Sequence, residues 1–409
     1  MSSQLDETIH DSQSVLEEEK ASFFRQPKAV WATALAAVFS FMGIGLVDPI
    51  LPAIAENLQA SPSQVSLLFT SYFLVTAVAM LITGFVSSRI GGKKTLLIGL
   101  GLIAVFASLS GLSGSVEQLV GFRAGWGLGN ALFVATALAV IVGVASGGSG
   151  VAIILYEAAL GLGISLGPLL GALLGGWQWR APFFGTAFLM AAAFIALFFM
   201  LPTLPKPAQK VRLRDPILAL GHAGLRTTAL AGLFYNFGFF TILAFTPFIL
   251  HMDAYGIGAV FFGWGVALAI FSIFVAPIMQ RRFGTTRSVM MALTGLLLVL
   301  LGLGLAALAH SVPAVVVLVI ISGALLGINN TLFTELAMEV SDSPRPVASA
   351  GYNFVRWMGG ALAPFIAAQL GEHFGAQVPF FFAAVIMVLS LVAIFTGRKY
   401  LNAHEPHIV

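Results

Sequence analysis

The 409-residue chain is 58% hydrophobic and only 9% charged, against about 25% charged in a typical globular protein, so no water-soluble fold of this length hides its apolar surface. It has no cysteine, which excludes disulfides, thiol catalysis and cysteine metal sites. Its net charge of +3 says less than where the charges sit.

In chain order, residues 1–28 form an expected cytoplasmic tail. Residues 1–24 hold six acids and one Lys, the reverse of the basic start of a secretory signal. Twelve apolar stretches follow, near 29–51, 64–88, 95–113, 116–145, 148–176, 181–201, 226–250, 257–281, 286–310, 313–340, 344–371 and 376–396. Each is long enough to cross a bilayer core of about 30 Å. None alternates as a barrel strand would, so an all-α membrane protein of 12 transmembrane helices is expected. With the N-terminus inside, all but Arg123, Arg180 and Arg356 of the 20 Lys and Arg fall on the cytoplasmic side, where the cost of translocation keeps them. Both termini are therefore expected in the cytoplasm. Residues 202–225 carry Pro202, Pro205, Pro207 and Pro216 with several basic residues. They read as a cytoplasmic linker between a six-helix bundle at 29–201 and a second at 226–396, followed by a cytoplasmic tail at 397–409.

The second half repeats the first. Tyr156-Glu157 stands eleven residues before Gly167-Pro168, and Tyr352-Asn353 stands eleven before Ala363-Pro364, an offset of 196 residues. Gly84-x4-Arg89-x-Gly91-x2-Lys94 after the second stretch is echoed by Pro277-x4-Arg282-x-Gly284-x2-Arg287 after the eighth, and Asp48-Pro49 by Thr246-Pro247. Two similar apolar bundles commonly move a substrate through the seam between them.

These motifs resemble the major facilitator superfamily over nearly the whole chain. Leu119-x3-Arg123-x3-Gly127-x-Gly129 is similar to its fourth-helix motif. Gly163-x3-Gly167-Pro168-x2-Gly171 resembles the fifth-helix motif of the drug:proton antiporter branch, and Asp48-Pro49-Ile50-Leu51-Pro52 the first-helix motif of that branch. The resemblance implies a monomeric bacterial exporter in the inner membrane that trades protons for small lipophilic substrates. The loop after the second stretch departs from the pattern: Ser88 and Gly92 stand where the family carries Asp and Arg. That departure puts the usual inner-gate charge network in doubt and leaves Arg89, Lys93 and Lys94 as topology anchors.

Read on their own chemistry, Gly163, Gly167 and Gly171 recur every four residues on one helix face, where small residues let another helix approach closely. Pro168 removes a backbone donor and bends the span. A close contact between the two halves, with a gating role, is expected there, with ordinary helix packing as the alternative. Gly84, Arg89 and Gly91 are further gating candidates. Gly163-Ile-Ser165-Leu-Gly167 also fits a hydrolase pattern, but that pattern needs a strand-to-helix turn, absent in mid-span.

Ionisable residues inside a bilayer are functional candidates by default. Asp48 lies roughly 29 Å along the first span and Arg123 roughly 10 Å down the fourth from the outside, at 1.5 Å per residue. Their depths match. The resembled fold sets both spans beside a central cavity, so Asp48 and Arg123 are expected to interact. Burial raises a carboxyl's pKa and a neighbouring Arg lowers it, so a group balanced between the two can load and release protons. Asp48 alternatively reads as a helix-capping carboxylate at the outer water interface, and Arg123 as a structural residue tied to backbone carbonyls. Glu157 reads as a second proton site, a cation-recognition residue or a wet carboxylate at the cytoplasmic mouth. Arg356 would offset a carboxylate or hold an anionic substrate group. Candidate substrate contacts are Phe69, Tyr72, Phe73, Trp126, Asn130, Phe133, Tyr235, Asn236, Phe239, Asn329, Asn330 and Arg356, because apolar walls with a few polar groups suit lipophilic ligands. Most membrane Phe residues face lipid or neighbouring helices, so only part of this set is expected to line a cavity.

No Gly-x4-Gly-Lys-Ser/Thr loop, metal-ligand cluster or nucleic-acid signature occurs, so no cofactor is expected and an ion gradient is the expected energy source. The function expected is proton-coupled export by alternating access. A dedicated exporter or flippase of one metabolite or lipid is an alternative. A polytopic enzyme or receptor would need clustered polar catalysts or a large soluble segment, and the chain has neither.

Overall fold

A computed structural model describes residues 26–146, 148–206 and 210–401, without the side chains of 148–154, 157 and 345. Most of the expected tails at 1–28 and 397–409 lies outside the described residues, as does the side chain of Glu157.

The first long helix breaks where its sequence breaks it. α1 (Lys28–Gly45) ends before a 3-10 turn, Asp48–Ile50, and a short α2 (Leu51–Asn57) follows. Pro49 and Pro52 lack the N–H that a continuing helix would require, so the expected stretch at 29–51 becomes helix, turn and helix. The remaining long helices of the first half are α3 (Pro62–Ile90), α4 (Gly92–Leu112), α5 (Val116–Val144), α6 (Gly148–Trp177) and α7 (Ala181–Met200). The linker folds a short α8 (Asp215–Ala219). The second half runs α9 (Ala223–Leu250), α10 (Ala254–Ile270), a π-helical turn at Phe271–Val275, α11 (Ala276–Phe283), α12 (Thr285–Leu308), α13 (Val312–Glu339), α14 (Arg345–Phe374) and α15 (Val378–Leu401). Pro277 offers no donor to the carbonyl four residues back, and the π turn absorbs the mismatch just before it. Gly91 at φ 92° and Gly284 at φ 80° make the matching sharp turns after α3 and α11, a conformation open to glycine because it lacks a Cβ.

Eleven helices among the described residues are long and apolar enough to cross a membrane. α14 falls outside that group because it carries Asn353, Arg356, Glu372 and His373 along its 30 residues, yet it packs among the others as the twelfth. The packing of the halves repeats. α1 lies on α6 as α9 lies on α14, α3 on α5 as α10 on α13, and α4 on α7 as α12 on α15. These are the two six-helix bundles. They meet along two antiparallel seams, α3 against α14 and α6 against α10. At the end of the molecule away from the basic residues, the Asp48–Ile50 turn also touches α9 and α10, and α2 touches α9. α8 packs on α14 at the basic end.

The glycine stripe of α6 does not face the other bundle. A Cβ on Gly163, Gly167 or Gly171 would sit 2.6 Å from Val38 O, 2.5 Å from Met42 O and 2.1 Å from Leu46 O, all in or just after α1. The expected contact between halves at these residues is therefore corrected: they let two helices of one bundle touch backbone to backbone. The seam uses the next face of the same helix. There Gly161 meets Ala269, Ser165 meets Gly265, and Pro168 and Ala172 meet Gly258. α6 has small residues on two faces because it is clamped from two sides.

Candidate functional site: a buried charge centre and a cross-seam aromatic cluster

Asp48 follows α1 with no exposed surface and makes no cap bond to the turn it opens. The alternative of a water-facing capping carboxylate is thus not what the fold builds. Neither carboxylate oxygen has a hydrogen-bond partner among the described residues. Arg123 on α5 is equally buried and is electrostatically coupled to Asp48. The two do not approach within the 4.0 Å of a direct ion pair. The guanidinium instead sits 4.5 Å from the ring centre of Tyr72 on α3 and 4.5 Å from that of Trp126 on its own helix. Its one hydrogen bond among the described residues is a long one, 3.5 Å from Nη1 to Gly43 O. A guanidinium tolerates this because its flat face is weakly hydrated and stacks on aromatic rings. Gly43 is small where it must be, since a Cβ there would lie 2.9 Å from the Trp126 ring.

The sequence-predicted aromatic and amide residues divide into two sets. Phe133 sits against the Gly99 backbone of α4, and Asn130 accepts a 2.9 Å hydrogen bond from Ser40 of α1. Both are buried inside the first bundle, which corrects their reading as cavity wall: α5 is held on α4 and α1 by these very faces. Phe69 stacks on Phe73 at 6.2 Å, and Tyr72 meets Phe73 edge-on at 5.0 Å. Phe73 then crosses the seam. Its ring centre lies 4.2 Å from Phe240 of α9 and 5.1 Å from Trp357 of α14. Phe239 continues the cluster to Phe240 at 4.5 Å and to Trp264 of α10 at 5.6 Å. Trp264 and Trp357 were not singled out from sequence, whereas Phe240 belongs to the dense aromatic run 233–240. A signal existed for Trp357, because it adjoins the mid-span Arg356 and is one of only six tryptophans.

Behind Trp357, the second bundle gathers the other polar candidates. Arg356 donates to Asn330 Oδ1, and Asn236 Nδ2 donates to Arg356 O at 3.0 Å. The Arg356 guanidinium lies 5.8 Å from the Tyr235 ring, 5.8 Å from that of Tyr352 and 5.2 Å from that of Trp357. The buried hydroxyls of Tyr235 and Tyr352 face each other, and that of Tyr352 also faces Arg356, while both side-chain amide atoms of the fully buried Asn329 lack a partner among the described residues. Buried polar groups left this way are expensive, and such groups in membrane helices mark ligand or ion pathways.

The gating candidates at the basic end of α3 do something local. Ser88 Oγ donates to Phe85 O. Arg89 stacks 3.4 Å over the Phe85 ring and donates to Phe85 O at 3.0 Å and to Val211 O of the linker at 3.2 Å. Val211 also packs against Gly84, where a Cβ would meet it at an ordinary contact distance of 3.5 Å. These residues dock the linker under α3.

Known proteins share this sequence and architecture. Residues 33–364 match the Major Facilitator Superfamily. The chain is 53% identical over 383 residues to the Multidrug efflux protein YfmO of Bacillus subtilis, covering 94% of this chain and 96% of that one. It is 33% identical over 193 residues to the Tetracenomycin C resistance and export protein of Streptomyces glaucescens, covering 46% of this chain and 36% of that one. Among solved structures, a D-xylose-proton symporter aligns with a TM-score of 0.76 at 14% identity, covering 90% of this chain and 97% of that one. The human organic anion transporter MFSD10 aligns at 0.68 and 19% identity, covering 90% and 99%.

Proposed function

The chain belongs to the Major Facilitator Superfamily, and on that premise we propose that it is a proton-coupled exporter of small lipophilic or cationic compounds in a bacterial inner membrane. It is a multi-pass membrane transporter and not an enzyme. The export reading draws on the similarity to the multidrug efflux protein of Bacillus subtilis, which covers nearly the whole chain. The proton reading draws on one observation above all: Asp48 is fully buried, has no hydrogen-bond partner among the described residues, and faces a cation that it does not touch.

Such a carboxylate has two favourable states. Neutral, it no longer carries the cost of an unsolvated charge; ionised, it draws Arg123 out from between its two rings. Arg123 is joined through Tyr72 to Phe73, and Phe73 touches Phe240 and Trp357 of the other bundle. A proton on Asp48 thus changes what Tyr72 and the seam cluster pack against. In alternating access, the proton would bind with the outer side open and leave with the inner side open. Each proton moving inward supplies about 2.3 kcal/mol per 100 mV, about fortyfold in concentration at 1.4 kcal/mol per factor of ten. The lipophilic substrate would lie on Phe73, Phe239, Phe240 and Trp357, with Asn236, Asn329, Asn330 and Arg356 supplying polar contacts. The protein acts as a monomer in this scheme, since each bundle lines one half of the path.

The test is transport in liposomes under an imposed pH gradient, following an ethidium-like dye and internal pH together. Dye movement should track the gradient, and each transported dye should bring a proton signal in the opposite direction. Dye movement that ignores the gradient would overturn proton antiport while leaving facilitated export standing.

A further inference from the structure

The two bundles are joined at the end away from the basic residues by a hydrogen-bonded pair that no sequence motif marks. α3 begins Ser61-Pro62-Ser63-Gln64. The first four N–H groups of a helix have no partner inside it, and here each can be traced. Pro62 has none to offer. Gln64 N–H donates to Ser61 Oγ at 3.2 Å, and the Gln64 side chain accepts from Ser61 N–H at 2.9 Å, forming a capping box. Val65 N–H returns to Ser61 O at 3.0 Å. Ser63 N–H alone is left over within its own bundle. It donates to Glu372 Oε1 at 2.7 Å, and Ser63 Oγ–H donates to Glu372 Oε2 at 2.9 Å. Glu372 stands in the last turn of α14, 309 residues away and in the other bundle.

We propose that Glu372 is a positioning residue of the transport cycle, a latch that caps α3 from across the seam and holds the outer side closed. The charge logic supports a directed device. A carboxylate in the last turn of its own helix sits at that helix's negative end and is disfavoured there, whereas the N-terminus of α3 offers the positive end of a 29-residue helix. Opening the outer side removes the favourable dipole and leaves the unfavourable one, and it exposes Ser63 N–H to find a new partner. At the opposite end of α3, Ser88 and Arg89 bond within the helix and to the linker, and neither reaches α14. The helix on the α14 seam is thus tied to the second bundle at its outer end and to the linker at its inner end. The latch biases the resting protein toward the outward-closed state, and outward opening becomes the step that substrate or proton binding must drive.

This inference rests on the alternating-access part of the proposed function, but its test needs neither a known substrate nor a proton gradient. The chain has no cysteine, so one introduced thiol is a clean reporter. Thr246→Cys on α9 lies fully buried near the outer turn, and Thr228→Cys lies fully buried near the basic end of the same helix. In de-energised cells, a membrane-impermeant maleimide applied outside should label Thr246→Cys about threefold to tenfold faster when Glu372→Gln is added, the range for losing hydrogen bonds to a partly exposed charge. Ser63→Ala keeps the backbone donor and should give a smaller rise, and Glu372→Asp should restore slow labelling in part. Two results would overturn the latch: an unchanged rate at Thr246→Cys in Glu372→Gln, or an equal rise at Thr228→Cys, which signals general loosening. Should Glu372→Gln fail to fold, the Ser63→Ala and Glu372→Asp rates decide the question alone. Loss of dye transport with normal gated labelling would count against the export reading and leave the latch intact.

Discussion

Each bundle buries one arginine, and the two are held in different ways. Arg123 of the first bundle has no exposed surface, an acid coupled to it at a distance, and two aromatic rings in place of hydrogen-bond acceptors. Arg356 of the second is half-buried, donates to the Asn330 amide and lies near the rings of Tyr235, Tyr352 and Trp357. The difference separates two chemistries. In the proposed reading, an acid and a base that are near but not joined exchange a proton for a contact, whereas a cation beside an amide and aromatic rings recognises a substrate. That proposal assigns proton handling to the first bundle and substrate recognition to the second.

The comparison is open to being broken by mutation. The largest effect is expected from Arg123→Leu, which strands Asp48 as a lone buried acid. It should cost about 3 kcal/mol of stability, the low end for breaking a buried pair because Asp48 escapes by binding a proton. Thermal unfolding in detergent measures it, and adding Asp48→Asn should recover part of the loss if the two are truly coupled. Gly171→Val comes next, at about 1–3 kcal/mol, since even a Cβ there would lie 2.1 Å from Leu46 O. If that variant is as stable as the parent, the α1–α6 contact is looser than described. Asp48→Asn should cut gradient-driven export at least tenfold, equivalent to about 1.4 kcal/mol, while substrate binding stays near normal; full coupled transport in this variant would remove Asp48 as the carrier. Arg356→Gln should show the reverse pattern, raising the apparent KM a few-fold with the proton coupling unchanged. The smallest effect belongs to Phe73→Leu. It gives up aromatic pairing worth about 0.5–1.5 kcal/mol and should weaken coupling between the bundles without altering either arginine.

Much of this was legible in the residues themselves. The similar heights of Asp48 and Arg123 could be read from rise per residue, which converts sequence distance into height in a bilayer, but only the resembled fold set their two helices side by side. The repeat announced the paired bundles, since turn glycines and prolines must recur where the backbone turns recur, as Gly91 and Gly284 do. Other features were hidden. Gly163, Gly167 and Gly171 promised a close contact, but a stripe of small residues does not say which neighbour approaches, and the neighbour proved to be α1. Asn130 and Phe133 looked like cavity wall because polarity and aromaticity cannot be distinguished from inward packing on a helix buried on several sides.

The sequence by itself determined that this is a bilayer-spanning protein of two repeated helical bundles, because apolar length, charge asymmetry and punctuation are properties of the chain taken segment by segment. Which faces meet was settled by tertiary structure alone. Phe73 against Trp357, Arg123 against Tyr72, and Glu372 on the first turn of α3 are contacts between residues dozens to hundreds of positions apart. They depend on how each helix is rotated about its own axis. That rotation is set by the sum of all its packing contacts, which no single segment contains.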